Sequence, residues 1–198
     1  MPRACRARFM PIQSPHLRPI YTIDARDRLA EVNDAFIASV QGLIDGAGGQ
    51  AFIGRSIWEF VDGAVPRRIW RILFERVRAV SAPIFVPLRA DTASERCIID
   101  LELHPMGDRS IRHVRECVSR EARPAVALLD ANYPRDSRTL IRCAWCARIQ
   151  VRLGSWQAIE DAQATLRLEA TATLPMLHDS ACPACTQSVL KTFPARVA

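Results

Sequence analysis

Lysine is almost missing from this 198-residue chain. Of its 27 lysines and arginines only Lys191 is lysine, and its four histidines are scattered. With those imidazoles scattered and no nucleophile in a recognisable elbow, an enzyme is the least expected reading. No run approaches the roughly eighteen apolar residues of a membrane span. The basic start, MPRACRARFMPIQSPHLRPI, also lacks the apolar stretch of a secretory signal. A P-loop, a GGDEF-type cyclase motif and a kinase phosphoacceptor with its ATP lid are absent too. These absences point to a cytoplasmic, non-enzymatic protein with no membrane partner. In that reducing compartment, cysteines serve as thiols or metal ligands rather than disulfides.

A hydrophobic fraction of 49% with 24% charged residues suffices for a packed core. The net charge of +6 is spread thinly, with 15 basic against 14 acidic residues between 18 and 120. The densest basic group is Arg67, Arg68, Arg71, Arg76 and Arg78. Ile69, Trp70, Leu73, Phe74, Val77 and Val80 fall between them at helical spacing, so the arginines read as a solvated helix face. A nucleic-acid partner is therefore not expected.

The stretch PIYTIDARDRLAEV gives two short strands around a polar turn, and Asn33 or Asp34 can cap the helix after it. That helix is expected to end at the glycine-rich GLIDGAGG. A short helical element and a longer helix follow, the latter running from Arg67 to Val80 with Pro66 in its first turn. Then come three strand-like runs, APIFVPLRAD, SERCIIDLELHPM and SIRHVRECVSR. In the middle run, Cys97, Ile99, Leu101 and Leu103 alternate with a mostly polar face. Strands, then helices, then strands favour an α+β domain with an antiparallel sheet.

Residues 18–120 resemble a PAS domain. The likeness rests on Ile23, Asp24, Leu29, Val32 and Asn33, and on the run Ile53, Gly54, Arg55, Ser56, Ile57, Trp58, Glu59 and Phe60. It implies a PAS-like five-stranded antiparallel sheet with helices on one face, a small internal cavity, and a role in sensing or dimerisation. Such a cavity can be filled by the protein's own side chains or hold a small molecule. Trp58, Trp70 and Phe74 are the candidate lining, although aromatics at helical spacing also build plain core. The reactive-cysteine run of flavin members is absent, and the long helix lacks a haem-ligating histidine. His104 and His113, on the later strands, read as solvent-facing or core residues, and no ligand is identified.

The last third holds CAWC, Cys143 to Cys146, and CPAC, Cys182 to Cys185. Each two-residue spacer lets a tight knuckle aim two sulfurs at one ion, and two knuckles complete a tetrahedron. Structural Zn²⁺ is the natural occupant. Competing readings are a thioredoxin-like redox pair, a rubredoxin-like iron site, and four buried thiols without metal. One motif would suffice for the first, and Ala147 and Thr186 stand where the second usually has glycine. Cys5, Cys97 and Cys117 read as a tail residue and two small strand hydrophobes. Between the knuckles, SWQAIEDAQATLRL is expected to be helical with Ser155 as its cap.

This tail resembles a cysteine module that follows PAS domains in bacterial signalling proteins. Cys143, Trp145, Cys146, Ile149, Trp156, Glu160, Cys182, Pro183 and Cys185 match its pattern, whereas His178 is shifted by one residue. The expected organisation is a tail over 1–17, a PAS-like domain over 18–120, a linker over 121–140, and a zinc-ribbon-like lobe over 141–193. The implied function is signal sensing or protein interaction, relayed by contact from a homodimer to a separate signalling protein. The alternative is a zinc-containing DNA-binding transcription regulator.

Overall fold

The computed structural model describes residues 18–40, 51–80, 82–169 and 171–192. The tail over 1–17, Cys5 and the glycine-rich run over 42–49 lie outside the described residues. No helix among the described residues is long and apolar enough to cross a membrane.

Strands β1 (Ile20–Ile23) and β2 (Leu29–Val32) form the expected hairpin. Asp24 makes its turn by accepting amide hydrogen bonds from Arg26 and Arg28, while Asp27 takes a left-handed φ of 60°. Of the two cap candidates Asn33 serves, its side-chain oxygen accepting from the Phe36 amide at the start of α1 (Asp34–Ser39). A 3₁₀ turn at Ile57–Glu59 is closed by a capping box in which Ser56 and Glu59 satisfy each other's amides.

Helix α2 (Ala64–Ala79) precedes β3 (Ile84–Arg89), β4 (Glu95–Pro105) and β5 (Ile111–Ala122). The five strands pair antiparallel in the order β2-β1-β5-β4-β3. Register places Tyr21, Ile23, Val86, Leu101, Leu103, Ile111 and His113 on one face, and α1 and α2 cover it with Phe36, Leu73, Phe74 and Val77. Arg67, Arg68 and Arg71 of α2 are exposed as expected. Arg78 departs from that pattern, because it turns inward to pair with Asp27 at 2.7 Å and ties α2 to the β1–β2 turn.

The remaining chain builds a second sheet, ordered β8-β7-β6-β9. Its strands are β6 (Arg135–Cys143), β7 (Ile149–Arg152), β8 (Ser155–Gln157) and β9 (Leu174–Ser180). Two helices complete it, α3 (Ile159–Thr165) and α4 (Pro183–Thr192). Ser155 does not cap a helix. Gly154, at φ 77°, turns the chain so that Ser155–Gln157 pairs back on β7, and α3 starts later without a side-chain cap. The stretch over 121–140 is itself packed: Val126 and Leu128 are buried with Ile149, Ile159, Ala162, Leu168 and Leu174 in a second core.

The sheets meet along α2 and the β3 edge. Gly63, immediately before α2, has a φ of 80° and lies so close to β9 that a Cβ there would collide with the Asp179 carbonyl oxygen. Gly63→Ala should therefore destabilise the protein by more than about 1 kcal/mol, through both the backbone and the collision. A lowered urea midpoint checks this.

Candidate metal centre

The two cysteine pairs converge because β6 and β9 run parallel. Their register sets Cys143, the last residue of β6, opposite Ser180, the last of β9, and Cys182 follows two residues later. A bidentate pair between Arg142 and Asp179, at 2.8 and 3.0 Å, clamps the register one step earlier.

The first knuckle is the turn between β6 and β7. Cys143 donates its amide to Arg148 and accepts from Ala147 on its carbonyl, with Ala147 left-handed at φ 60°. The second knuckle opens α4, where the Cys185 amide donates to the Cys182 sulfur at 3.4 Å. Across the pairs, the Cys182 amide donates to the Cys143 sulfur at 3.3 Å.

The four sulfurs lie within 4.8 Å of one another, and Cys146 and Cys182 are 3.8 Å apart. Tetrahedral zinc–thiolate bonds of about 2.3 Å would set sulfurs about 3.8 Å apart, so the donor set fits such an ion. Electrostatics agrees. Without a cation, hydrogen bonding to Cys146 and burial push the Cys143 thiol far above the ordinary range, and burial with the neighbouring sulfurs pushes Cys185 up to about 12. Four thiolates this close need a central positive charge, and these cysteines could hold a metal ion.

His178 is not among these donors. It stands on β9 with a largely exposed ring 3.7 Å from Asp62. Glu160 serves the junction between the sheets. Asp91 and Arg123, each with a side chain only 2% exposed, pair at 3.3 Å, and Arg123 reaches Glu160 of α3 at 3.2 Å. Arg96 holds the same carboxylate at 2.9 Å; against the opposing effect of burial, the Glu160 backbone amide and then these arginines hold its carboxyl below the usual range. Arg89 also pairs with Asp91. Cys146, Arg148, Arg89, Asp91, Arg96 and Glu160 line a cleft of about 320 Å³.

The first knuckle also touches the first sheet directly. The Arg89 amide of β3 donates to the Trp145 carbonyl at 2.8 Å, and Trp70 of α2 stacks on Trp145 with ring centroids 5.7 Å apart. Trp70 and Trp58 each lie against Phe74, at 5.9 and 5.5 Å. The three aromatics proposed from sequence thus form one contiguous group whose end abuts the knuckle.

His113, weighed above without a role, is wholly buried. It stacks on Tyr21 at 4.2 Å and meets the Phe74 edge at 5.3 Å. Its Nδ1 faces the Ile111 carbonyl, and its Nε2 has no hydrogen-bond partner among the described residues. Burial lowers its pKa from 6.5 to about 3. The alternation of β5 could have placed it inward, but nothing in sequence marked its stacking partners.

No protein-family model matches the chain, and no curated protein matches it. Among solved structures, it is similar to the PAS domain from Bordetella pertussis BvgS, at 24% identity and a TM-score of 0.41. The match covers 52% of this chain and 77% of that one.

Two outcomes follow from these geometries. Replacing Arg123 by Met strips a buried carboxylate of a buried partner and should cost about 3 kcal/mol, with partial recovery on adding Asp91→Asn; urea unfolding of the single and double variants measures this. For His113, the unfolded chain gains a proton below pH 6.5, which the folded chain refuses until about pH 3. Its contribution is therefore complete above pH 6.5 and is lost as pH falls across that window. His113→Phe should flatten the acid-side decline by a few kcal/mol, as read from stability against pH.

Proposed function

We propose that this chain is a non-enzymatic, cytoplasmic signal-sensing or protein-interaction module. In this reading, a PAS-like sheet domain passes its state by contact to a separate effector protein, acting as a homodimer. Structural Zn²⁺ on Cys143, Cys146, Cys182 and Cys185 holds the second lobe in shape. Supporting the reading are the residues that resemble PAS sequences and the antiparallel sheet they build. The observation that carries it is the docking of the four-cysteine knuckle on α2 and β3 through Trp70, Trp145 and Arg89. A change felt by Trp58, Trp70 or Phe74, such as the entry of a small molecule, would meet the knuckle one ring away.

Four thiolates leave no open position on the metal, so its contribution is charge and fixed geometry rather than activation of water. The chain supplies the rest. Amides of Cys182 and Cys185 point at sulfur, and α4 presents its positive end to the second pair. Thiolate ligation releases protons, so metal affinity should rise with pH.

Elemental mass spectrometry of freshly purified, untagged protein tests the metal. About one zinc per chain is expected, lost in the Cys143→Ser/Cys182→Ser variant. Iron, or no metal at all, would overturn the zinc reading. Sedimentation of the same samples tests the relay, since a monomer at micromolar concentration that no ligand perturbs would remove its basis.

A further inference from the structure

Two cysteines outside the knuckles also meet. Cys97 on β4 and Cys117 on β5 have their sulfurs 2.9 Å apart. A bulge creates the meeting. The register steps from Ile98 opposite Ser119 to Ile99 opposite Cys117, which leaves Val118 as the extra residue on β5. Cys117 thereby leans along the strand toward Cys97, and closing to a disulfide of about 2.05 Å needs a movement of about 0.9 Å.

The two differ in surroundings. Cys97 is 5% exposed, whereas Cys117 is half-buried and reachable from solvent. Arg120 interacts with the Cys117 sulfur, which raises the arginine's own pKa and puts a cation beside any thiolate formed there. Burial, followed by contact with Cys117, pushes the Cys97 thiol up to about 12. This is the asymmetry of an attacking and a resolving thiol.

We propose that Cys97 and Cys117 form a reversible disulfide when the protein meets a hydroperoxide, making the β4–β5 bulge an oxidant-responsive site. In the first step the Cys117 thiolate attacks the peroxide. The O–O bond breaks, and Cys117 becomes a sulfenic acid as hydroxide departs, or alkoxide from an organic hydroperoxide, each taking a proton from solvent. The Cys97 sulfur then attacks the Cys117 sulfur; the S–O bond breaks, hydroxide leaves, and the Cys97 proton goes to it as water. Overall, both thiols are oxidised and the peroxide is reduced to water, or to water and an alcohol.

The bond would stiffen the end of a hairpin that leads straight into the junction. The Cys97 amide donates to Asp91, and β5 ends one residue before Arg123. This inference does not depend on zinc or on any PAS relay, since it uses neither the knuckle cysteines nor a ligand.

Tryptic mapping of the full, metal-loaded chain tests it. After exposure to hydrogen peroxide, acid quench and alkylation, the peptides spanning 97–109 and 116–120 should appear linked, and dithiothreitol should separate them. Alkylation at both sites should fall together by more than about tenfold, while Cys143 and Cys146 stay alkylatable. Cys117→Ser, at a half-buried position, should leave Cys97 free at the same peroxide dose, with the fold checked by circular dichroism. Recovery of both peptides unlinked, or Cys117 converted to sulfinic acid without linkage, would overturn the proposal. So would a Cys97 oxidised equally fast in Cys117→Ser.

Discussion

Parallel pairing of β6 with β9 is the constraint on which the second lobe depends. Antiparallel strands would have carried the two knuckles to opposite ends of the sheet. Parallel strands bring them to one end and set Cys143 against Ser180. The Arg142–Asp179 pair fixes the register there, and a slip of one residue would turn one pair of sulfurs away from the other. The second core is layered on this sheet, and Trp145 can reach Trp70 only from a knuckle held at its end.

Electrostatics sets a second condition, at the seam between the sheets. A buried carboxylate and guanidinium, Asp91 and Arg123, are desolvated together, and such pairs persist when further polar groups complete them. Here Arg89, the Cys97 amide and Glu160 do so. The same few residues thus hold the β3–β4 end, the β5 exit and α3. A disturbance at any one of them is shared by both lobes.

Much of this was legible in the residues. Alternation in SERCIIDLELHPM placed Cys97, Ile99, Leu101 and Leu103 inward, and the structure buries all four. Asn33 was readable as a cap because a short polar side chain preceded an apolar run. The cysteine spacing marked which four sulfurs meet. What escaped sequence reading was decided by distant partners. Ser155 resembles a helix cap until the Gly154 turn gives it β7 to pair with. Arg78 looks like its exposed neighbours until Asp27 draws it inward. Cys97 and Cys117 looked solitary because a bulge, which has no fixed residue signature, brings them together.

The long interval between the knuckles also bears on how the chain acquires its shape during synthesis. β6 and the first knuckle leave the ribosome roughly thirty residues ahead of the strand and helix that complete them. The five-stranded sheet precedes them all and can collapse early, since domains fold as they emerge. Until β9 arrives, Trp70 has no ordered Trp145 to cover it, and Cys143 and Cys146 are half of a site. Closing that loop carries an entropic cost that is repaid only when β9 and α4 pair and pack. A nascent chain paused there would present a bare aromatic face and two unshielded thiols, the state most exposed to chaperones and to oxidation.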